Sequence, residues 1–201
     1  MLLTLASLLL TAQDDPLAGH LVRVESARVQ FRDSPRVEAP RRKGYVLRGD
    51  VLIADGEQGG FTSVTFVPAK GRSSRGWIET AALRRLPASV PKPADWTGAW
   101  HQEDADIDIK PAARRGALHA EGLALWGNHD PQRVRNGGIH TGDFTGDAVP
   151  AGDRLTYTNT EPGGGCEVRM RLLGPYLLVA DNDQCGGMNV TFSGLYRRSK
   201  G

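Results

Sequence analysis

The sequence predicts an all-β protein of two bodies, a small closed barrel followed by an eight-stranded meander β-barrel. Three observations carry that expectation. Glycine supplies 25 of 201 residues, alongside 12 prolines; this is about 12% glycine against roughly 7% in an average protein. Apolar and polar residues alternate with period two through short segments separated by turn residues, and no helical spacing persists beyond two turns. A proline cluster then divides these segments into two groups.

The length corresponds to about one and a half average domains. Twenty-five Lys and Arg against 23 Asp and Glu leave a net charge of +2, which excludes a whole-chain nucleic-acid binder. A hydrophobic content of 39% argues against disorder. No run reaches the roughly 18 apolar residues of a membrane helix, so no transmembrane segment is expected. The chain opens on an uncharged apolar block, Met1 to Ala12, followed by Gln13-Asp14-Asp15-Pro16. A short apolar stretch ending in small residues before a polar one reads as a secretory signal peptide over residues 1–12. The expected location is therefore periplasmic or secreted, with a mature chain beginning near Gln13.

Pro87-Ala88-Ser89-Val90-Pro91-Lys92-Pro93-Ala94 carries three prolines in eight residues. Such a stretch favours an extended, semi-rigid spacer and resists both helix and sheet. It separates 20–86 from 95–201, and the two differ in charge. The first has 13 Lys and Arg against 7 Asp and Glu, the second 11 against 14.

In the first half, Leu21–Val24, Ala27–Phe31, Val51–Ala54 and Phe61–Phe66 read as strands, with turns at Arg48-Gly49-Asp50 and Glu57-Gln58-Gly59-Gly60. A loop from Lys70 to Ser74 leads into Gly76-Trp77-Ile78. Five or so such strands suffice for a small closed barrel, which removes exposed edges. Val46-Leu47-Arg48-Gly49-Asp50-Val51, Phe61-Thr62-Ser63-Val64, and Gly76-Trp77-Ile78 before Leu83 resemble the bacterial SH3-like family. That family carries a basic-Gly-Asp turn, an aromatic-x-x-Val strand and a closing Gly-Trp-Ile/Val; Phe61 stands where it usually has Trp. The resemblance implies a targeting module that binds a peptide, peptidoglycan or another envelope component. Tyr45, Phe61 and Trp77 are the candidate groove aromatics, and Arg41-Arg42-Lys43 is the densest basic cluster.

The second half parses into eight alternating segments: Gly98–His101, Ala105–Pro111, Ala117–Leu125, Thr141–Ala148, Arg154–Asn159, Cys166–Leu173, Tyr176–Asp181 and Asn189–Arg197. Short connections between sequential strands imply a meander, and eight strands can close a barrel. The Gly98-Ala99-Trp100 start and the Arg-bearing last strand resemble the lipocalin and avidin group. Asn182 to Gly194 resembles the tail of an uncharacterised exported bacterial domain with lysozyme-inhibitor-like relatives.

Cys166 and Cys185 are the only cysteines. With Gly174-Pro175 as a two-residue turn, opposed hairpin positions sum to 349, which sets Cys166 against position 183, two residues from Cys185. A disulfide is expected, and with it an oxidising compartment.

Chemistry-bearing patterns are sparse. Asp104, Asp106 and Asp108 share one strand face, but Ile109 and Arg115 stand where a calcium loop of the EF type needs Gly and Glu. His101, His119 and His140 have no metal-ligand spacing, and no Ser or Cys sits at a recognisable distance from a His. Gly163-Gly164-Gly165 opens no helix and is no phosphate loop. The long segment Trp126–Ile139 offers Trp126, Asn128 and His129 as candidate binding residues at a barrel mouth. The residues thus assign no catalytic group, no metal and no cofactor. They point to an exported, non-catalytic envelope protein in which an SH3-like module joins a ligand- or protein-binding barrel, its sharper version an inhibitor of a lysozyme-type enzyme. A cell-wall hydrolase with a targeting arm and a small-molecule carrier are the other two classes.

Overall fold

The computed structural model describes residues 15–68, 72–159 and 165–199. The leader expected over 1–12, Lys70 of the Lys70–Ser74 loop, and Gly163-Gly164 lie outside them. The protein is all-β, with its strands in two antiparallel sheets. No helix among the described residues is long and apolar enough to cross a membrane.

Seven strands form the first sheet: β1 (His20–Val24), β2 (Arg28–Arg32), β3 (Arg41–Leu47), β4 (Val51–Gln58), β5 (Phe61–Phe66), β6 (Ser74–Glu79) and β7 (Leu83–Arg85). Their order is β3-β2-β6-β5-β4-β1-β7. Period two sends Val22, Val24, Phe31, Val46, Leu52, Val64 and Ile78 into one buried cluster. β3 and β7 are additions to the strands the sequence announced. Arg41-Arg42-Lys43 carries no apolar alternation, and it becomes strand because β2 pairs with it, Val29 opposite Val46 and Gln30 opposite Tyr45.

The proline-rich segment ends in a short helix, α1 (Pro93–Trp96). Pro93 stands in the first turn, where its missing N–H has no helical partner to lose. Eight strands follow: β8 (Gly98–His101), β9 (Ala105–Pro111), β10 (Leu118–Trp126), β11 (His140–Ala148), β12 (Arg154–Thr158), β13 (Glu167–Leu173), β14 (Tyr176–Asp181) and β15 (Gly194–Arg198). A helix, α2 (Pro131–Arg135), interrupts the long β10–β11 connection, with Asp130 accepting from the amides of Gln132 and Arg133. The sheet order is β11-β10-β9-β8-β15-β14-β13-β12. First and last strands meet through Arg197 opposite His101 and Arg198 opposite Trp100, which makes the barrel nearly closed. Side chains fill the remaining seam between β11 and β12, where the Tyr157 ring lies over Gly146 and 5.1 Å from that of Phe144.

The Gly174-Pro175 hairpin has the expected register, Val168 opposite Asp181 and Leu173 opposite Tyr176. Gly174 takes φ 59°, in the left-handed region the turn requires. Cys166 and Cys185 form a disulfide with Cα atoms 4.6 Å apart. The last segment differs from expectation: regular strand starts at Gly194, not Asn189. Asp181 is the physical reason. Its carboxylate accepts from the Thr191 and Ser193 hydroxyls and from the Phe192 amide, and Asn189 takes φ 66°. Residues 189–193 thereby fold inward, seating Val190 and Phe192 in the barrel core.

The halves also pack on each other. Leu17, Ile53, Tyr176, Leu178 and Ala180 form a third buried cluster, with Leu21, Val51, Val67, Leu173 and Leu195 against it. The inner face of β14 lines the barrel with Leu177 and Val179; its outer face, Tyr176-Leu178-Ala180, is covered by the first sheet. Polar contacts fasten the junction. The Tyr176 hydroxyl donates to the Val51 carbonyl at 2.5 Å, and Arg171 Nη1 donates to the carbonyls of Leu17 and Gly19 at 2.9 and 3.0 Å. Arg154 pairs with Asp15 at 2.7 Å. That guanidinium, together with the Leu17 amide, holds the Asp15 carboxyl below its usual range.

Candidate functional site

Two twisted sheets that touch along one strand leave a cleft beside the contact. Here it is a groove of about 1610 Å³ between the halves. The β5–β6 connection supplies Val67, Pro68, Arg72 and Ser73, the proline-rich segment Ser89 and Pro91, and the barrel half Gln102, Glu103, Leu172, Pro175, Leu195 and Arg197. Its lining thus mixes apolar side chains with charged ones. Junctions between domains are common ligand sites because both walls contribute groups.

The polar groups in the groove are held in place. Arg197 Nη1 donates to the Val67 carbonyl at 2.6 Å, and the guanidinium lies 5.3 Å from the centre of the Tyr176 ring. Arg72 reaches across the cleft to Glu103 at 2.7 Å. Arg198 donates to the Asp95 carbonyl and stacks 4.7 Å from the Trp100 ring. Gln102 Nε2 donates to the Tyr196 hydroxyl at 3.2 Å, and that hydroxyl donates to the Phe192 carbonyl. Burial, with the Asp181 charge adding to it, pushes the Tyr196 phenol far above its usual range. Three arginines against Asp95 and Glu103 give the lining a slight positive excess.

The sequence-predicted binding residues lie elsewhere. Arg41, Arg42, Lys43 and Tyr45 all sit exposed on β3. Arg42 is engaged, bonding Asp33 and the Arg75 carbonyl, each at 2.5 Å. Tyr45, Phe61 and Trp77 stand on three different strands, with β2 between β3 and β6. Phe61 is only 4% exposed, beneath the Arg32 guanidinium at 5.7 Å. Arg32 is itself tied to the carbonyls of Val37 and Ala39 and to Glu79. Phe61 is a packing residue, and its ring offers no open face; Trp77 is half-buried.

At the far rim of the barrel, the Trp126 ring is flanked by Arg133 at 4.3 Å and His140 at 5.0 Å. His129 Nε2 pairs with Asp104 at 2.9 Å. Asn128 Oδ1 is buried without a hydrogen-bond partner among the described residues. The barrel interior behind them is occupied by Ile107, Ile109, Leu118, Phe144, Met170 and Phe192, all buried. Asp106 and Asp108 line a shallow depression on the barrel's outer surface, beside Glu121 and Asp143. No group of three or more His, Cys, Asp or Glu among the described residues is arranged to hold a metal ion.

No protein-family model, curated protein or solved structure matches this chain.

Sequence reasoning missed the groove because its walls are brought together only when the halves dock. One signal was present. Tyr176-Leu177-Leu178-Val179-Ala180 is continuously apolar where its neighbour β13 alternates. Such a run marks a strand covered on both faces, and therefore a second body lying against the barrel there.

Proposed function

We propose that this protein is a non-catalytic, exported envelope protein that holds an extended peptide or peptidoglycan-type ligand in the groove between its two halves. The groove itself carries the reading. It is open, combines apolar lining from Val67, Pro68, Leu172 and Leu195 with hydrogen-bonded arginines, and draws its lining from both halves. A chain-like ligand with carboxylates fits such a lining, since guanidinium forks pair with carboxylate oxygens. The disulfide supports an oxidising compartment and so agrees with export. The SH3-like reading of the first half belongs to the same proposal, its contribution being one wall of the cleft. The side-chain-filled barrel weighs against the small-molecule carrier, which needs an interior cavity.

Isothermal titration of the mature protein with soluble wall peptides, beside the same titration with a lysozyme-type enzyme, tests the proposal. Ser89 is exposed on the groove lip, so Ser89→Trp blocks the cleft without touching either core. The expected result is saturable wall-peptide binding that weakens with salt and is lost in Ser89→Trp. Equal affinity in Ser89→Trp overturns the assignment of the groove. Absence of wall-peptide binding by the unaltered protein overturns the ligand class.

A further inference from the structure

A second surface, independent of the groove, carries its own chemistry. Among the described residues, β3 lies at one end of the first sheet and pairs with β2 alone. Natural sheets keep edge strands short, bulged or covered because their unpaired amides and carbonyls are templates for another chain. β3 runs seven residues, all exposed except Val46; its register against β2 shifts between the Gln30–Tyr45 and Arg32–Arg41 pairs, which leaves Tyr45–Leu47 as the regular stretch of this edge. The alternation of the ladder fixes which backbone groups are free. The Arg48 amide bonds the Ala27 carbonyl, so the next position, Leu47, faces off the edge, and its amide is taken by the Asp50 carboxylate at 2.7 Å. Two residues further along, Tyr45 presents its amide and carbonyl off the same edge.

The side chains beside that free backbone have a definite character. Tyr45 and Leu47 share the outer face by period two, and Lys43 precedes them in the stretch where the register against β2 shifts. Tyr45 and Leu47 are 47% and 48% exposed, among the few exposed large hydrophobics of the chain. Arg28 stacks on the Tyr45 ring at 3.9 Å, holding it flat against the sheet. Arg28, Arg41 and Lys43 have no carboxylate partner among the described ion pairs, whereas Arg42 is neutralised by Asp33. The result is an apolar strip bordered by uncompensated positive charge.

We propose that β3 is a strand-accepting site, and that its occupant is an extended acidic peptide segment of a partner protein. The segment adds to the sheet beside β3, its backbone pairing with Tyr45 and its apolar side chains lying on Tyr45 and Leu47. Its carboxylates face Arg28, Arg41 and Lys43. Backbone pairing gives affinity in this mode, and the side-chain strip gives selectivity. The same cations bar the β3 edge of a second copy, because like charges would then face each other across the new pair.

The test uses the mature protein and a fluorescein-labelled octapeptide alternating Glu with Val, read by fluorescence anisotropy. Two isomers carry N-methyl groups on one or the other set of alternate amides. The expected result is that one isomer binds like the parent and the other not at all. Lys43→Glu is expected to weaken the parent peptide on the order of tenfold, with the same fold-change in a Lys43→Glu, Ser89→Trp double variant as in Lys43→Glu alone. Equal binding by both isomers, or equal binding of a single-stranded oligonucleotide, reduces the surface to charge adsorption and overturns the proposal. So does a β3-dependent dimer seen by sedimentation, which would make a second copy the occupant.

Discussion

Leu178→Ala tests whether the two halves are one cooperative unit. Leu178 projects from the outer face of β14, is 6% exposed, and packs in the cluster holding Leu17, Ile53 and Tyr176. Truncating a buried leucine costs about 2–5 kcal/mol, from the lost transfer free energy plus the cavity left behind. The site is an interface between two sheets, which can close partly on a void, so about 3 kcal/mol is the working value. For a chain of this length 1 kcal/mol corresponds to about 2–4 °C, so the midpoint should fall by about 6–12 °C. Differential scanning calorimetry of the protein reads the outcome directly. A shared core predicts a single transition in the parent that moves as a whole. Two transitions in the parent, one of them unmoved by Leu178→Ala, would overturn the shared core, because the halves would then melt as independent bodies joined by a tether.

Reducing the Cys166–Cys185 disulfide, which closes a loop across a separation of 19 residues, should cost about 3 kcal/mol in the chain-entropy account; thermal melts with and without reductant, beside a Cys166→Ser, Cys185→Ser variant, measure it. Gly142→Ala should destabilise by about 1–3 kcal/mol, since the new Cβ would stand 2.4 Å from the Cys185 carbonyl oxygen and 2.8 Å from the Gly186 Cα, both backbone atoms; urea unfolding compares it with Gly116→Ala, where no atom lies within 4 Å but the left-handed φ of 80° adds its own strain. Alkaline stability follows from the buried phenols. Burial raises the folded-state pKa of Tyr176 and, more strongly, of Tyr196, so as pH rises the unfolded chain loses these phenol protons before the folded one does. Their contribution is complete below the usual phenol value of about 10 and is lost as pH rises above it. Urea midpoints should therefore be level in this respect from pH 8 to about 9.5 and fall from about pH 10 to 11, with a slope that Tyr176→Phe reduces.

The barrel was the legible part of this sequence, because its strands announce themselves twice. Turn clusters such as Pro150-Ala151-Gly152-Asp153 fix where they end, and alternation such as Ala105-Asp106-Ile107-Asp108-Ile109 fixes which face is inside. The hairpin around Gly174-Pro175 was legible to the register, and the disulfide followed from it. Asn189–Phe192 misled for a local reason. Its Val-Thr-Phe run has strand composition, but the side chain of Asp181 outcompetes a neighbouring strand for its donors. β3 was hidden in the opposite way: its residues are charged because they lie on an edge, and edge strands lack the apolar alternation that reveals central ones. The groove was least legible of all, since period-two patterns describe one sheet at a time and carry no statement about which sheets meet.

Docking of the halves turns two small sheets into a surface with distinct working regions. Without the contact, Tyr176, Leu178 and Ala180 would be an exposed apolar strip on the barrel, and Leu17, Leu21 and Ile53 its counterpart on the first sheet; strips of that kind drive association. Burying them against each other removes that liability and fixes the angle at which Arg72 faces Glu103 and Arg197 faces Val67. A semi-rigid Pro-rich spacer alone does not fix the two bodies' relative orientation, whereas a packed junction holds those groups at fixed distances and spares a ligand the entropic cost of ordering the walls. Affinity in the groove should therefore depend on residues that no ligand touches. Leu178→Ala, placed behind the cleft, is expected to weaken ligand binding at temperatures well below its melting transition, and an unchanged affinity there would mean that the groove walls are set by the proline-rich segment alone.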